Sequence, residues 1–267
     1  MPSTSRPLTL LMTATISPKN NPDARFEVAE RRRQYLDAFA FYLQHLARGS
    51  YDRLLFCENS GDDLADFRAL VPAKLRERVY FLCAPPEIFP AYLRKSNEFL
   101  LIDYACDHCP WLREPRAAFF KVTGRYRTLN ITALIGDVRR AGPVDFYCDQ
   151  KDHRLYSRLG LHWCQQNGEM RYIFMSVNFW RKHFYGYFTQ HPEYRAVEEI
   201  VFDVAHAHYN DPACRFRYRH EARFRGFQGQ QAAFLGMRFS PTMDYLTSDI
   251  RWGLAAFLRR LFPRWWF

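Results

Sequence analysis

Two cations, a hydroxyl and a glycine stand close together in the run Lys121-Val-Thr-Gly-Arg-Tyr126. A strand-like apolar run precedes them and a helix-like run, Leu129 to Val138, follows, so the pattern predicts a strand, a tight turn and a helix. Backbone N–H groups at a helix N-terminus favour anions, and Lys121 and Arg125 would add positive charge. Gly124 would let the backbone approach a ligand closely. The sequence therefore predicts a cradle for a phosphate or an acidic sugar, with an ordinary basic turn as the alternative.

The same run resembles the K-I/V-T-G-R-Y signature of bacterial glycosyltransferase-like proteins from lipopolysaccharide and capsule gene clusters. Other stretches resemble this family in the same order along residues 8–235; they are Leu10–Ile16, Phe56–Gly61, Lys95–Glu98, Asp152–Arg154 and, as a degraded Gly-x-Ser-Gly turn, Phe224–Gly229. The resemblance implies a GT-A-like fold. It also implies transfer of a sugar from a nucleotide-sugar donor to a lipopolysaccharide- or capsule-type glycan or a lipid-linked acceptor.

The elements that must position these residues alternate along the first half of the chain. Strand-like runs are Leu8–Ile16, Arg53–Cys57, Val79–Cys83, Ala117–Val122 and Val144–Cys148. Helix-like runs are Glu27–Leu46, Asp62–Leu70, Asn97–Cys109 and Leu129–Arg140. This alternation predicts an α/β fold with a mostly parallel central sheet flanked by helices, followed by a helical C-terminal half rich in aromatic residues and arginine. We expect one domain over residues 1–248 and an appended segment over 249–267.

Polar side chains at the ends of the first two predicted strands are candidates for the donor site. In an open α/β sheet, ligands bind at the carboxyl ends of the strands. With the resemblance, this predicts a donor-binding set made of Thr13, Thr15, Glu58, Asn59, Ser60, Lys95, Lys121, Thr123, Gly124, Arg125 and Tyr126. The alternatives are an ordinary strand end at Thr13 and Thr15, and a helix-capping turn at Asn59 and Ser60.

The resemblance implies a nucleotide leaving group, which GT-A enzymes often hold with a divalent ion bound by an Asp-x-Asp pair. This chain has Asp149-Gln-Lys-Asp-His-Arg154 after the fifth strand-like run. The resemblance points to Asp152 and Arg154 as the paired positions, which would stabilise the leaving group. Because Arg154 supplies a cation of the protein's own, the use of Mg²⁺ or Mn²⁺ is left open. A charged surface loop is the alternative.

A sugar transfer with inversion also needs a base to deprotonate the acceptor hydroxyl. The resemblance points to a glutamate on the helix predicted between Tyr194 and Tyr209, where Glu198 and Glu199 stand side by side. Neighbouring positions on a helix diverge by about 100°, so at most one of them can point into a site. A surface glutamate is the alternative for each.

Charge and composition limit the partners. The net charge is +10 and 17% of the residues are aromatic, a balance that favours an anionic partner. Nucleic acid is not expected, because no zinc-finger pattern, ribonucleoprotein motif or base-reading basic helix is present. The sequence shows neither a secretory signal nor 18 consecutive apolar residues, so we expect a cytoplasmic protein.

The final stretch, residues 249–267, combines an apolar set with basic residues. The apolar set is Ile250, Leu254, Phe257, Leu258 and Leu261, and the stretch ends in Trp265-Trp266-Phe267. Aromatic residues of this kind settle at the depth of lipid headgroups. This predicts a peripheral contact with the inner membrane surface. A helix docked on its own core or on a partner is the alternative.

Two other function classes are compatible with the sequence. The absent Asp-x-Asp pair and the altered turn at Gly226–Gly229 favour a non-catalytic glycan- or nucleotide-binding subunit of a polysaccharide assembly complex. A basic peripheral protein that binds RNA or anionic lipid would explain the charge but not the order of the motifs. A nucleotide-sugar-dependent glycosyltransferase accounts for both.

Overall fold

The structure is a computed structural model that describes residues 6–18, 27–89, 97–151, 167–191, 195–226, 233–234, 237–238, 253–254, 257–258 and 261. Its strands are β1 (Leu8–Ala14), β2 (Arg53–Glu58), β3 (Val79–Cys83), β4 (Ala118–Thr123), β5 (Arg127–Thr128), β6 (Phe146–Tyr147), β7 (Gln150–Lys151), β8 (Asn167–Gly168), β9 (Tyr172–Ser176), β10 (Cys214–Arg215), β11 (Phe224–Arg225), β12 (Ala233–Phe234) and β13 (Met237–Arg238). Its helices are α1 (Val28–Ala47), α2 (Ala65–Ala69), α3 (Asn97–His108), α4 (Ile131–Arg140), α5 (Val177–His183), α6 (Tyr187–Gln190) and α7 (Val197–Ala207). Short 3-10 turns are Ala73–Arg78, Pro86–Ile88 and Pro110–Leu112.

Seven strands form the central sheet in the order β10-β6-β9-β4-β1-β2-β3. The pairs β1/β2, β2/β3, β1/β4 and β6/β10 are parallel, and β9 is antiparallel to both of its neighbours. The predicted α/β fold with a mostly parallel sheet flanked by helices is thereby confirmed. The antiparallel insertion of β9 between β4 and β6 was not predicted, since alternation of strands and helices along the chain says nothing about a strand that enters later.

The sheet is buried on both faces, because successive side chains of β1 point to opposite sides. On one face, Leu10 and Met12 pack with apolar residues of α1, α2 and α4. On the other, Leu11 packs with residues of α3, α5 and α7. Every residue of β1 is buried, as expected for an inner strand of a parallel sheet covered by two helix layers.

The order of the strands reverses at β1. The chain runs from β1 outwards through β2 to β3, whereas β4 returns to the other side of β1. In open α/β sheets the ligand crevice lies at such a reversal, outside the carboxyl ends of the strands. Here Thr13 of β1 is the register partner of Thr123 of β4. The topology therefore puts the end of the Lys121–Tyr126 run at the expected position of a crevice.

Some predicted features lie outside the described residues. These are Lys95, Asp152, Arg154, the greater part of the turn at Gly226–Gly229 and most of 249–267. Among the helices that are described, none is long and apolar enough to cross a bilayer.

Candidate active site

Lys121 is the most deeply buried cation at the junction of β1 and β4. Its side chain is 0% exposed, and its ammonium group lies 2.5 Å from a carboxylate oxygen of Glu98. It also donates to the hydroxyl of Thr123 at 3.1 Å and to the backbone carbonyl of Met170. An ammonium group has three N–H donors, and these three partners use all of them. The predicted role of Lys121 as a phosphate-binding cation does not fit this arrangement.

Glu98 stands in the first turn of α3 and reaches the end of β1. Its Oε1 accepts from Thr13 Oγ1 at 2.8 Å as well as from Lys121. The second oxygen, Oε2, takes no part in these contacts, and 24% of the side chain is exposed. Glu98 is thus held at Oε1 by a buried cation while part of its side chain remains exposed, an arrangement suited to accepting a hydrogen bond from a ligand.

Sequence analysis included Glu98 only as the last residue of the Lys95–Glu98 stretch and not as a site residue. One feature of the sequence did mark Glu98, since it is a carboxylate at the start of an apolar helix. Its partners on β1 and β4, however, are 85 and 23 positions away along the chain, so the pairing could not be inferred from spacing.

Glu198 lies in the first turn of α7, half-buried beside this cluster. Burial raises the pKa of Glu198 above its ordinary value; the charges of Glu98 and Glu169 raise it further, and Lys121 partly opposes them. A carboxylate with a raised pKa is a better proton acceptor near neutral pH. The absence of a side chain at Gly168 lets α7 pack this closely. A Cβ added to Gly168 would lie 2.4 Å from the Val201 side chain. Only a glycine lets β8 pack at that distance.

Glu199 points elsewhere. Its side chain is 56% exposed and lies 3.9 Å from Arg195 on the surface. Sequence analysis left the choice between the two glutamates open. In the structure Glu198 is the more buried of the two, and its pKa responds to the charges of Glu98 and Lys121. The spacing in the sequence allowed at most one of the pair but did not say which.

Gly124 closes the turn after β4 against β1. Its N–H donates to the carbonyl of Thr13 at 2.9 Å. A Cβ added to Gly124 would lie 2.6 Å from that carbonyl and 3.1 Å from the Tyr35 ring. The glycine therefore permits close approach of two protein backbones, where sequence analysis expected close approach to a ligand.

The predicted helix N-terminal cradle is not formed by this turn. Residues 127–128 pair with β11, and α4 begins only at Ile131. The residue before the helix, Asn130, receives a hydrogen bond from the N–H of Arg223 and donates to the carbonyl of Glu221, both at 2.8 Å. That prediction is wrong, because a strand pairing that joins residues about 100 positions apart separates the turn from the helix.

Tyr126 and Arg125 follow the turn and differ in their surroundings. The carbonyl of Tyr126 accepts from the Tyr42 hydroxyl at 2.8 Å, and its ring packs on Phe224 at 5.8 Å. Tyr126 is therefore part of the packing. The Arg125 guanidinium lies 6.0 Å from the centre of the Tyr35 ring, close to the loop that follows β1.

That loop is held by a buried arginine, Arg31 of α1, which was not predicted as a site residue. Arg31 donates to the carbonyls of Thr15 and Ile16. Burial lowers the pKa of Arg31, and the charge of Arg125 lowers it further. The hydroxyl of Thr15 also donates to the Asn59 side chain at 2.7 Å. Arg31 and Arg125 thus bring two positive charges to the loop at the carboxyl edge of β1, which favours an anion there.

Glu58 occupies the end of β2 and is wholly buried. Its carboxylate accepts from the backbone N–H groups of Ile16 (3.2 Å), Ser60 (2.8 Å) and Gly61 (3.0 Å), and from the Ser60 hydroxyl. These contacts tie the loop after β1 to the loop after β2. The geometry fits the alternative of a structural turn better than a direct contact with a nucleotide.

The described residues contain no group of three or more His, Cys, Asp or Glu side chains that could hold a metal ion. Of the carboxylates at this edge, Glu98 has its Oε1 already paired with Lys121, and burial disfavours the charged form of Glu198. The described part of the site therefore does not fit Mg²⁺ or Mn²⁺ by itself. The predicted contribution of Asp152 lies outside it.

A cleft of about 470 Å³ lies at the opposite edge of the sheet. It is lined by residues 112–116, which precede β4, and by Val177, Asn178 and Arg181, which follow β9. It contains none of the predicted site residues. The ionisable and hydroxyl side chains described above lie instead at the carboxyl edge of β1 and β4.

No family model matches the chain, and no curated protein matches it by sequence. Among solved structures, the chain is similar to the galactosyltransferase LgtC in complex with donor and acceptor sugar analogues. The two are 13% identical, the match covers 79% of this chain and 74% of that chain, and the TM-score is 0.45. A likeness at this level does not carry the neighbour's activity over to this chain.

Proposed function

We propose that this protein is a nucleotide-sugar-dependent glycosyltransferase whose active site is the crevice between β1 and β4. The observation that carries the proposal is the pairing of two carboxylates at this edge. Glu98 is held by Lys121 and Thr13, and Glu198 has a raised pKa beside it. One carboxylate suited to orienting a sugar and another suited to accepting a proton are what a hydroxyl-directed group transfer requires.

Donor binding is assigned to the side of the crevice near the loop after β1. The charges of Arg31 and Arg125 support the binding of a diphosphate there, because burial strengthens charge-assisted hydrogen bonds. Thr13, Thr15, Thr123 and the turn at Gly124 form the floor. Lys121 acts in this proposal as a positioning residue that holds Glu98, and not as a contact to phosphate.

Glu98 would accept a hydrogen bond from a hydroxyl of the donor sugar through Oε2, the oxygen that Lys121 and Thr13 do not hold. Glu198 would take the proton from the acceptor hydroxyl while the oxygen of that hydroxyl forms a bond to the anomeric carbon. The bond from the anomeric carbon to the phosphate oxygen of the donor breaks, and the nucleotide leaves with the electron pair of that bond. Asp152 and Arg154 are proposed to stabilise that leaving group. The transfer would invert the anomeric centre, since in a single displacement the acceptor oxygen enters on the face opposite the leaving group.

The acceptor is proposed to be a lipopolysaccharide- or capsule-type glycan or a lipid-linked saccharide. This rests on the motifs at Lys121–Tyr126 and on the basic character of the chain. Nothing in the geometry selects one sugar or one nucleotide, so the first experiment must do so.

The experiment is a panel of UDP-, GDP-, CMP- and dTDP-sugars, each with and without Mg²⁺ or Mn²⁺, read by thermal shift and by release of nucleotide. A ligand that binds only the folded state raises the melting temperature. One donor class should shift the protein and be slowly hydrolysed, and Arg125→Ala should lose both effects. Arg76→Ala, which changes an exposed arginine on the 3-10 turn at Ala73–Arg78, is the matched control and should retain them.

Two outcomes would contradict the proposal. A donor that shifts the melting temperature but is neither hydrolysed nor transferred, even with glycan acceptors present, would favour a nucleotide-binding subunit. If no donor raised the melting temperature, the proposed donor site would be contradicted.

A further inference from the structure

Among the few described residues of the C-terminal stretch, three apolar side chains are exposed. The described residues 253–254, 257–258 and 261 are helical. Within them Leu254 is 58% exposed, Phe257 is 59% exposed and Leu261 is 56% exposed. Positions three, four and seven apart lie on one face of an α-helix. These three residues thus form an apolar face, which we call the C-terminal face, and the protein's own core leaves more than half of each side chain uncovered.

The charge of the same stretch is of one sign. After Asp249 the sequence has arginine at positions 251, 259, 260 and 264, and no acidic residue or lysine follows. Tryptophan stands at positions 252, 265 and 266. Arginine and tryptophan beside an apolar face are the composition of segments that lie in the headgroup region of a membrane.

We propose that the C-terminal face docks on an anionic lipid bilayer and holds the protein at the membrane surface. The apolar side chains would enter the boundary between headgroups and acyl chains, and the arginines would pair with lipid phosphates. The charge pattern favours this occupant over a second copy of the chain, because two such stretches would bring like charges together. The docking is independent of the chemistry at β1 and β4, so it can fail while the proposed function holds.

The test is vesicle flotation of the full-length protein. Vesicles of phosphatidylcholine alone are compared with vesicles that also contain phosphatidylglycerol, each at low and at high ionic strength. Binding should require phosphatidylglycerol and should weaken at high ionic strength, because the arginine contribution is screened.

The variant L254S/F257S/L261S removes the apolar face and keeps every arginine. It should lose at least about tenfold in apparent affinity, since three apolar side chains no longer leave water. The control variant L70S/I88S changes two exposed apolar side chains elsewhere (both 43% exposed) and should bind as the wild type does. Far-UV circular dichroism and melting temperature confirm that both variants fold.

Three outcomes would overturn the proposal. The wild type fails to float with phosphatidylglycerol vesicles; or it floats equally well with phosphatidylcholine alone; or the triple serine variant floats as well as the wild type. Sedimentation velocity identifies the competing occupant: a wild-type dimer that the triple variant converts to a monomer, without vesicle binding, means that a second copy covers the face.

Discussion

Two glutamates lie at the same edge of the sheet and are held in different ways. Glu58, at the end of β2, is wholly buried, and backbone N–H groups of three residues together with a serine hydroxyl surround its carboxylate. Glu98, at the start of α3, is 24% exposed, and its Oε1 is held by two side chains, Lys121 and Thr13. The Glu58 carboxylate is occupied by hydrogen bonds within the protein, whereas the Glu98 carboxylate is held at one oxygen and belongs to a side chain that is partly exposed.

The difference separates a structural carboxylate from one available for chemistry. Backbone donors around Glu58 fix two loops, so that removing the charge would disturb the fold of the edge. The side-chain donors Lys121 and Thr13 hold one oxygen of Glu98 and leave its side chain partly exposed. Both glutamates lie in short polar stretches of the sequence, and only their surroundings in the fold distinguish them. We therefore expect the loss of Glu198 to reduce mainly activity and the loss of Glu58 to reduce mainly stability.

The largest expected effect is on turnover. Glu198→Gln removes the proposed base and should lower kcat by about 10²–10⁴-fold, the usual contribution of a general base. Thermal stability should not fall, because burial already disfavours the charged form of Glu198. The measurement is steady-state transfer with the donor identified by the panel. Glu199→Gln, which changes the exposed neighbour, should keep wild-type turnover; equal losses in both variants would remove Glu198 from the mechanism.

The next effect is on stability through the buried ion pair. Lys121→Met should lower the free energy of unfolding by about 3 kcal/mol, because it leaves the Glu98 carboxylate without its cation. Urea denaturation measures this value. In the double variant Lys121→Met with Glu98→Gln part of the loss should return, since no unpaired charge remains. Lys74→Met, at an exposed position, should change little. A single-variant loss no larger than this control's would show that Lys121 does not hold Glu98 in solution.

A smaller effect is expected at the structural carboxylate. Glu58→Gln should cost about 1–3 kcal/mol of unfolding free energy, because a neutral amide cannot accept from all of the surrounding N–H groups. Turnover for each folded molecule should stay near the wild-type value. Paired measurements of urea denaturation and kcat check both statements. If Glu58→Gln lost as much turnover as Glu198→Gln without losing stability, Glu58 would be a functional carboxylate and not a structural one.

The smallest effect is on the pH profile. Because the pKa of Glu198 is raised, the protonated, inactive form persists to a higher pH than for an exposed glutamate. The value of kcat/KM should therefore rise with pH through the raised pKa, with about a tenfold change for each pH unit below it. The residual activity of Glu198→Gln should lack this rise, whereas Glu58→Gln should keep it. A wild-type profile that is flat from pH 5 upward would argue against a raised pKa at this position.

Local patterns predicted most of the scaffold. The apolar runs around Leu11, Phe56 and Phe120 are strands of one sheet, and the helix predicted over Glu27–Leu46 is observed as Val28–Ala47. Burial on both faces produces continuous apolar strands, which sequence reveals directly. The antiparallel direction of β9 was missed, because strand pairing depends on partners far along the chain.

The candidate site was predicted less completely. Thr13, Lys121 and Gly124 lie close together at the ends of β1 and β4, but the contacts of two of them differ from those that we expected. Lys121 binds Glu98 instead of facing outward, and Gly124 packs against the Thr13 carbonyl. Glu98 and Arg31 were not identified, since their partners lie on other elements.

The sequence by itself determined which residue types are present, the alternation of strands and helices, and the basic, aromatic character of residues 249–267. These follow from local spacing and from the preference of side chains for water or for an apolar interior. The tertiary structure decided which carboxylate is satisfied and which belongs to a partly exposed side chain, which of Glu198 and Glu199 is the more buried, and what neutralises Lys121. The reason is physical: hydrogen bonding, burial and pKa depend on neighbours in space, and the fold brings these neighbours together from distant parts of the chain.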